Sequence, residues 1–225
     1  MQRKFLGESQ LSSGKESFRF NISPLDQDEL SAAAECVEAF HTGDVEMARK
    51  HIKHNNPRVR AFAIEALSKY NEITVDDIKR EIDSGEVESS IAVVRAGKNL
   101  GYTFDEFISR KDLHPLVRES IIFEVGEAKA ISHLPVLNEL ASKDDDPMIR
   151  EAAVVAIGNI GDPSSLPVIL AATRDKTNIR RRAAVALSQY EEEESLERLR
   201  KLAVEDRDWQ TRQIAQAIIE IEEGD

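Results

Sequence analysis

One cysteine, Cys36, stands in the 225 residues, so no intrachain disulfide and no Cys-x-x-Cys redox or zinc pair can form. Cys36 falls among Ala34, Val37 and Phe40 at helical spacing, where it reads as a small buried hydrophobe rather than a reactive thiol. Aromatic residues are scarce, at 5%, and there are only 10 Gly and 7 Pro, a composition that favours helices throughout. Long apolar runs are missing too. Met1 to Phe20 holds Arg3 and Lys4 but no stretch able to act as a secretion signal, and nothing later approaches a membrane span, so the expected compartment is the cytoplasm. Positive charge is in deficit. A net charge of −12 argues against a protein whose main task is to grip a phosphate backbone, although a local basic patch stays open. Serine-nucleophile elbows and Gly-rich phosphate loops are also absent.

What is present is a repeat. An Arg followed by small or aliphatic residues three, six or seven, and ten positions later occurs in VRAFAIEAL from Val59, VRESIIFEV from Val117, IREAAVVAI from Ile149, IRRRAAVAL from Ile179 and TRQIAQAII from Thr211. The pattern residues Arg60, Arg118, Arg150, Arg180 and Arg212 lie 58, 32, 30 and 32 residues apart, and the first interval holds two periods. If Ser90 takes the Arg position, then Val93, Ala96 and Leu100 fall where Ala63, Ala66 and Tyr70 fall one repeat earlier. A period of about 30 residues with a helical apolar pattern is the mark of stacked helix pairs, none of which can bury its face alone.

The expected fold is all-α: a right-handed α-solenoid of about six antiparallel helix pairs, preceded by an N-terminal capping helix from Asp26 to His41. Gly43 and Asp44 stop that helix and cap the next. Outer helices are expected to start near Asp44, Thr74, Thr103, Ser132, Ser164 and Glu194, and inner helices near Pro57, Glu86, Pro115, Pro147, Thr177 and Arg207. Thr74 with Asp77, and Thr103 with Glu106, have the spacing of capping boxes. Residues 1–24, rich in Ser and Gly, read as a flexible tail ahead of a single solenoid domain over 25–225, with Phe18, Phe20 and Ile22 alternating as in a short extended segment that could dock.

The fourth and fifth repeats, Asp144-Asp145-Asp146-Pro147-Met148-Ile149-Arg150-Glu151-Ala152-Ala153 and Ile157-Gly158-Asn159-Ile160-Gly161-Asp162-Pro163, resemble the HEAT-like repeats of phycobilisome lyases and many bacterial adaptor proteins. The resemblance covers roughly residues 43 to 222. It implies antiparallel helix pairs with the Arg-bearing helices lining a concave face. Relatives with this repeat include chromophore lyase subunits, deoxyhypusine hydroxylase, DNA glycosylases and plain scaffolds, so the fold alone selects none of them.

The residues narrow the choice. The diiron hydroxylase resemblance implies His-Glu pairs, and none of the five His residues here precedes a Glu. His51 and His54 share a helical face, but with no third ligand in view they read as a solvated pair, so neither a metal nor a cofactor is expected. Trp209, the only Trp, reads as a plug for the last repeat rather than a base-stacking platform. Arg174, Lys176, Arg180, Arg181 and Arg182 form a local basic cluster, but Glu191 to Glu194 follow directly. The Arg ladder reads as structural, because each member has an acid or amide four to six residues earlier that could fix the turn and tie neighbouring repeats: Asn55 and Asn56, Asp112, Asp144 and Asp146, Asp175, then Asp206 and Asp208.

If the pattern positions face neighbouring helices, those one, five and eight or nine residues after each Arg are left for the concave surface. They are Arg95, Lys98 and Asn99; Glu119, Phe123 and Glu127; Glu151, Val155 and Asn159; Arg181, Val185 and Gln189; and Gln213, Ala217 and Glu220. An apolar floor edged by charges of both signs suits a helix or an extended peptide. The expected function is a non-catalytic, protein-binding adaptor or assembly factor. A bilin-lyase-like enzyme subunit and a nucleic-acid-binding or repair module of the glycosylase type are the alternatives.

Overall fold

In a computed structural model, residues 23–222 are described, and they form twelve α-helices with no strand among them. They are α1 (Gln27–Thr42), α2 (Val45–Arg49), α3 (Pro57–Lys69), α4 (Val75–Asp83), α5 (Val87–Asn99), α6 (Pro115–Glu127), α7 (Leu134–Lys143), α8 (Pro147–Ile160), α9 (Leu166–Ala172), α10 (Thr177–Leu187), α11 (Glu193–Glu205) and α12 (Trp209–Glu222). The chain is an α-solenoid. Helices α1, α3, α5, α6, α8, α10 and α12 pack in sequence as an inner row, and α2, α4, α7, α9 and α11 form an outer row behind it. The sequence reading of residues 1–22, as part of a flexible tail, concerns residues outside those described.

Local chemistry sets the boundaries. Asp26 and Glu29 close a capping box at the start of α1, and Gly43 ends that helix in the left-handed region at φ 82°, which costs a residue without Cβ nothing. Asp44 accepts from Met47 N at 3.0 Å to open α2, and Thr74 and Asp77 close a second capping box on α4. Prolines at the first position of α3, α6 and α8 fix the backbone where no N–H partner is needed. Outer helices α7 and α9 are each entered through a single 3₁₀ turn, Ile131–His133 and Pro163–Ser165.

The expected outer helix near Thr103 does not form. The segment from Tyr102 to Leu113 runs through turns, so the third repeat pairs α6 with an irregular stretch. The capping box cannot close, because the hydroxyl of Thr103 bonds Asp105 while Glu106 is taken by Tyr102 Oη and by Lys79 Nζ, the latter at 2.8 Å. Phe104 holds φ at 58° and is fully buried, with its ring filling the space above Gly97 on α5. A Cβ on Gly97 would lie 2.7 Å from that ring, so the glycine and the aromatic are one packing device. Burial of Phe104, Phe107 and Ile108 replaces the helix's own apolar face.

The inner row packs closely through small residues. Positions three after the ladder Arg, at Ala63, Ala153, Ala183 and Ala215, are fully buried, as is Ile121. Gly126 and Gly158 let α6 approach α8 and α8 approach α10, since a Cβ on either would sit 2.7 Å from Ala156 or Ala186 respectively.

The Arg ladder ties these rungs together. Arg150 donates through Nε and Nη2 to both oxygens of Asp175, at 2.8 and 2.9 Å, and through Nη1 to the carbonyl of Asp144 at 2.8 Å. Arg180 repeats this with Asp206, at 2.9 Å twice, and with the carbonyl of Asp175 at 3.0 Å. Arg118 pairs with Asp144. Arg60 takes Glu81 at 2.8 Å and the carbonyl of His54 at 2.8 Å, while Arg212 donates to the carbonyls of Asp206 and Arg207. The expected partners are thus corrected. For Arg150, Arg180 and Arg212 the acid of the same turn, Asp144, Asp175 or Asp206, supplies its carbonyl, and its carboxylate goes to the Arg of the repeat before. Asp112 instead pairs with Arg110, and Arg60 takes the carbonyls of His54 and Asn55. Guanidinium geometry explains why: the fork matches a carboxylate across the rung and leaves a spare donor pointing back at the turn.

These pairs hold the carboxyls of Asp175 and Asp206 below the usual range, through Arg150 and Arg180, against an opposing effect of burial. Asp175→Asn should therefore cost about 1.5–3 kcal/mol at pH 7. Because the folded-state pKa lies below the ordinary 3.8, the contribution is complete above that value and fades as pH falls through the folded pKa. Urea midpoints of parent and variant should converge as acidification carries the pH below the ordinary carboxylate range and through the folded pKa. A gap that stays constant from neutral to acid pH would contradict this assignment.

Candidate functional site

A groove runs along the exposed side of the inner row. It consists of four clefts of about 370 to 450 Å³, each shared by successive helices. The first lies over α1, α3 and α5 and the second between α5 and α6; they share Arg95. The third, between α6 and α8, shares Glu119 and Phe123 with the second. The fourth, over α8, α10 and α12, shares Glu151 and Arg182 with the third.

The structure brings several of the sequence-expected residues together here. Glu119, Phe123, Glu151, Val155 and Asn159 line the third cleft, while Arg181, Val185 and Gln213 line the fourth with Glu151. Phe123 and Val185 are 50% and 49% exposed, whereas Val155 is half-buried between them. Lys98, Glu127 and Gln189 are exposed near the C-terminal ends of their helices. There Lys98 Nζ lies 3.9 Å from Glu127, which accepts from Asn159 at 3.1 Å.

Charge in the groove is largely paired. Arg181 makes a bidentate pair with Asp208, at 2.8 and 2.7 Å, and holds that carboxyl far below its ordinary range. Arg182 reaches Glu151 at 3.1 Å, and Asn178 bonds the same carboxylate. Arg180, Arg181 and Arg182 of the basic cluster read from the sequence are therefore spent on Asp206, Asp208 and Glu151. Burial pushes the carboxyl of Glu119 up, and the charges of Glu151 and Asp146 add to the shift. Burial also raises Glu124, which is 7% exposed and occupies the slot six residues after the ladder Arg that Ala66, Ala156 and Ala186 fill elsewhere.

Two sequence expectations are corrected. Trp209 does not plug the last repeat: as the first residue of α12 it is 56% exposed and forms one wall of the fourth cleft. At this first helical position α3, α6 and α8 carry proline. His51 and His54 are not a solvated pair. His51 Nε2 lies 2.9 Å from Glu35, and His54 Nδ1 accepts from Asn56 N at 3.1 Å. Among the described residues, no three His, Cys, Asp or Glu side chains converge in a way that could hold a metal ion. Cys36 is buried, and burial raises its thiol to about 11.

Leu116, Met148, Asn178 and Gln210, each two residues before a ladder Arg, also line the groove and were missed from sequence. The signal was available, since extending the expected stripe one turn back along each inner helix selects them. Arg182 was missed because the stripe's centre lies between the first and second positions after the Arg.

A stack of helix pairs with an open groove along its inner row is the architecture of an α-helical repeat scaffold. Residues 106–186 match the family model described as HEAT repeats, and the helix pairs on either side, which continue the same inner row, are consistent with HEAT-like repeats. No curated protein matches the chain. Among the described residues, no helix is long and apolar enough to cross a membrane.

The exposure of Trp209 gives the groove its own optical probe. Its fluorescence should be readily quenched by acrylamide in the folded protein, and quenching should rise little on unfolding in urea. Strong protection in the folded state would place the indole inside the last repeat.

Proposed function

We propose that the chain is a non-catalytic adaptor or assembly factor that holds a protein or peptide partner along the inner-row groove. The observation that carries this reading is the continuity of the four clefts, which share lining residues and expose Phe123, Val185 and Trp209 along one path. Aromatic anchors set among paired charges are what a protein interface centres on. HEAT repeats are repeat-type helical modules commonly used as interaction scaffolds, which supports the same choice. A nucleic-acid partner suits this groove less well, because Arg118, Arg150, Arg180, Arg181 and Arg182 are engaged with carboxylates instead of forming a phosphate-tracking stripe.

The test is affinity capture from source lysate by tagged parent, Phe123→Asp and Val204→Asp, followed by binding of the identified partner in purified form. Val204 is 80% exposed on outer helix α11 and serves as the control. Phe123→Asp should weaken binding by about 30-fold or more, a loss of about 2 kcal/mol or more, with the helical circular dichroism signal unchanged. Val204→Asp should bind as the parent does. Equal binding by Phe123→Asp, or loss of its helicity, would overturn the groove assignment.

A further inference from the structure

Three groove side chains keep their charge open. Glu65 on α3, Arg95 on α5 and Glu119 on α6 make no ion pair among the described residues, stand on successive inner helices and alternate in sign. Glu65 and Arg95 line the first cleft together, and Arg95 and Glu119 the second, yet neither couple closes. Other cations nearby are spent. Lys69 Nζ donates to the carbonyl of Phe40 at 2.7 Å and sits 4.2 Å from the centre of its ring, while Lys98 Nζ lies 3.8 Å from Glu124 and 3.9 Å from Glu127. In the fourth cleft, by contrast, Glu151 on α8 and Arg182 on α10 pair at 3.1 Å.

Opposite charges that share a cleft and stay apart leave room for a partner's charges beside them. Glu119 is half-buried, and burial together with the charges of Glu151 and Asp146 holds its carboxyl above the ordinary range, so an incoming cation relieves a standing cost. Glu124, 7% exposed on the wall of the second cleft, adds an Oε2 that has no hydrogen-bond partner, since Lys98 lies beyond hydrogen-bond distance.

Spacing selects the shape of the occupant. Packed helices lie about 8–10 Å apart. Glu65 and Arg95 are five residues past the ladder position of their helices and Glu119 one residue past its own, an offset of about one turn that stretches the second interval to about 10–12 Å. A helix lying across the row presents residues i, i+7 and i+14 on one face at steps of about 10.5 Å. An extended strand repeats a face every 6.5–7 Å or so, and neither one nor two such steps fits.

We propose that the occupant of the groove is an amphipathic helix of a partner protein, lying across α3, α5 and α6, with basic, acidic and basic side chains at i, i+7 and i+14 meeting Glu65, Arg95 and Glu119. Its apolar stripe rests on Phe123, which lines the second and third clefts and is 50% exposed. The inference rests on the groove being a protein-binding surface, as proposed above, and gives that partner its chemistry.

The probe is a phage-displayed library of helix-forming peptides, about 20 residues long, selected on the full chain, with selected sequences resynthesised and titrated. They should carry Lys or Arg, then Asp or Glu, then Lys or Arg at steps of seven. Arg95→Glu should weaken their binding at least about tenfold, and changing the peptide's middle acid to Lys should restore affinity for Arg95→Glu to within about threefold of the parent pair. Glu119→Lys should respond in the same way to reversal of one outer basic residue. Arg95→Gln, which removes the charge without reversing it, should give a smaller loss, and each variant should keep the parent's helical signal. Selected peptides that lack the alternation, or that bind both reversals as they bind the parent, would overturn the proposal. If Phe123→Asp still abolishes their binding, the adaptor reading stands with a partner of different chemistry. A library that yields no peptide dependent on Phe123 would overturn both.

Discussion

At the turns that lead into α8 and α10, the connecting backbone turns a carbonyl toward the ladder Arg, and the next repeat brings a carboxylate to the same guanidinium. One guanidinium answers both. Arg150 donates back to the carbonyl of Asp144 and forward to the side chain of Asp175, whose own carbonyl receives Arg180. Asp144 plays the same double part between Arg118 and Arg150, and Asp206 between Arg180 and Arg212. Each acid is thus an acceptor twice over, by backbone and by side chain, and each rung is defined relative to its neighbours. The parallel inner row, the closeness allowed by Gly126 and Gly158, and the path of the groove all depend on that spacing being kept.

The groove follows from the same geometry. With the ladder Arg and the positions three and seven after it turned toward neighbouring helices, the opposite stripe of each inner helix is left to solvent. The stripe carries Phe123, Val155, Val185 and, one turn earlier, Met148 and Trp209. Its charges are mostly neutralised across rungs, as in Arg181 with Asp208 and Arg182 with Glu151, which leaves apolar and aromatic surface as its distinctive offering. Glu65, Arg95 and Glu119 are groove charges without an ion pair among the described residues.

Much of this was legible in the sequence because the repeat is regular. The period, the inner-helix starts at Pro57, Pro115 and Pro147, the capping residues Asp44 and Thr74, and the burial of Cys36 all follow from local chemistry and a helical apolar pattern. What failed to read was set by contacts distant in sequence. Thr103 and Glu106 have the spacing of a cap, yet Phe104 packing on Gly97 and Lys79 pairing with Glu106 come from the preceding repeat and override it. The ladder's carboxylates stand about a repeat further on, whereas local spacing pointed to those in the same turn. Trp209 was taken for a plug because hydrophobicity alone does not say which side of a first helical residue meets solvent.

The central claim is that the Arg–Asp pair is a coupling between neighbouring repeats, beyond whatever each side chain contributes within its own. A double-mutant cycle on Arg150→Ala and Asp175→Ala, measured by urea unfolding at pH 7, tests this most directly. The account predicts a coupling energy of about 1.5–3 kcal/mol, in the range of hydrogen bonds to charged groups. Additivity within about 0.5 kcal/mol would contradict it and reduce the ladder to a set of local turn contacts.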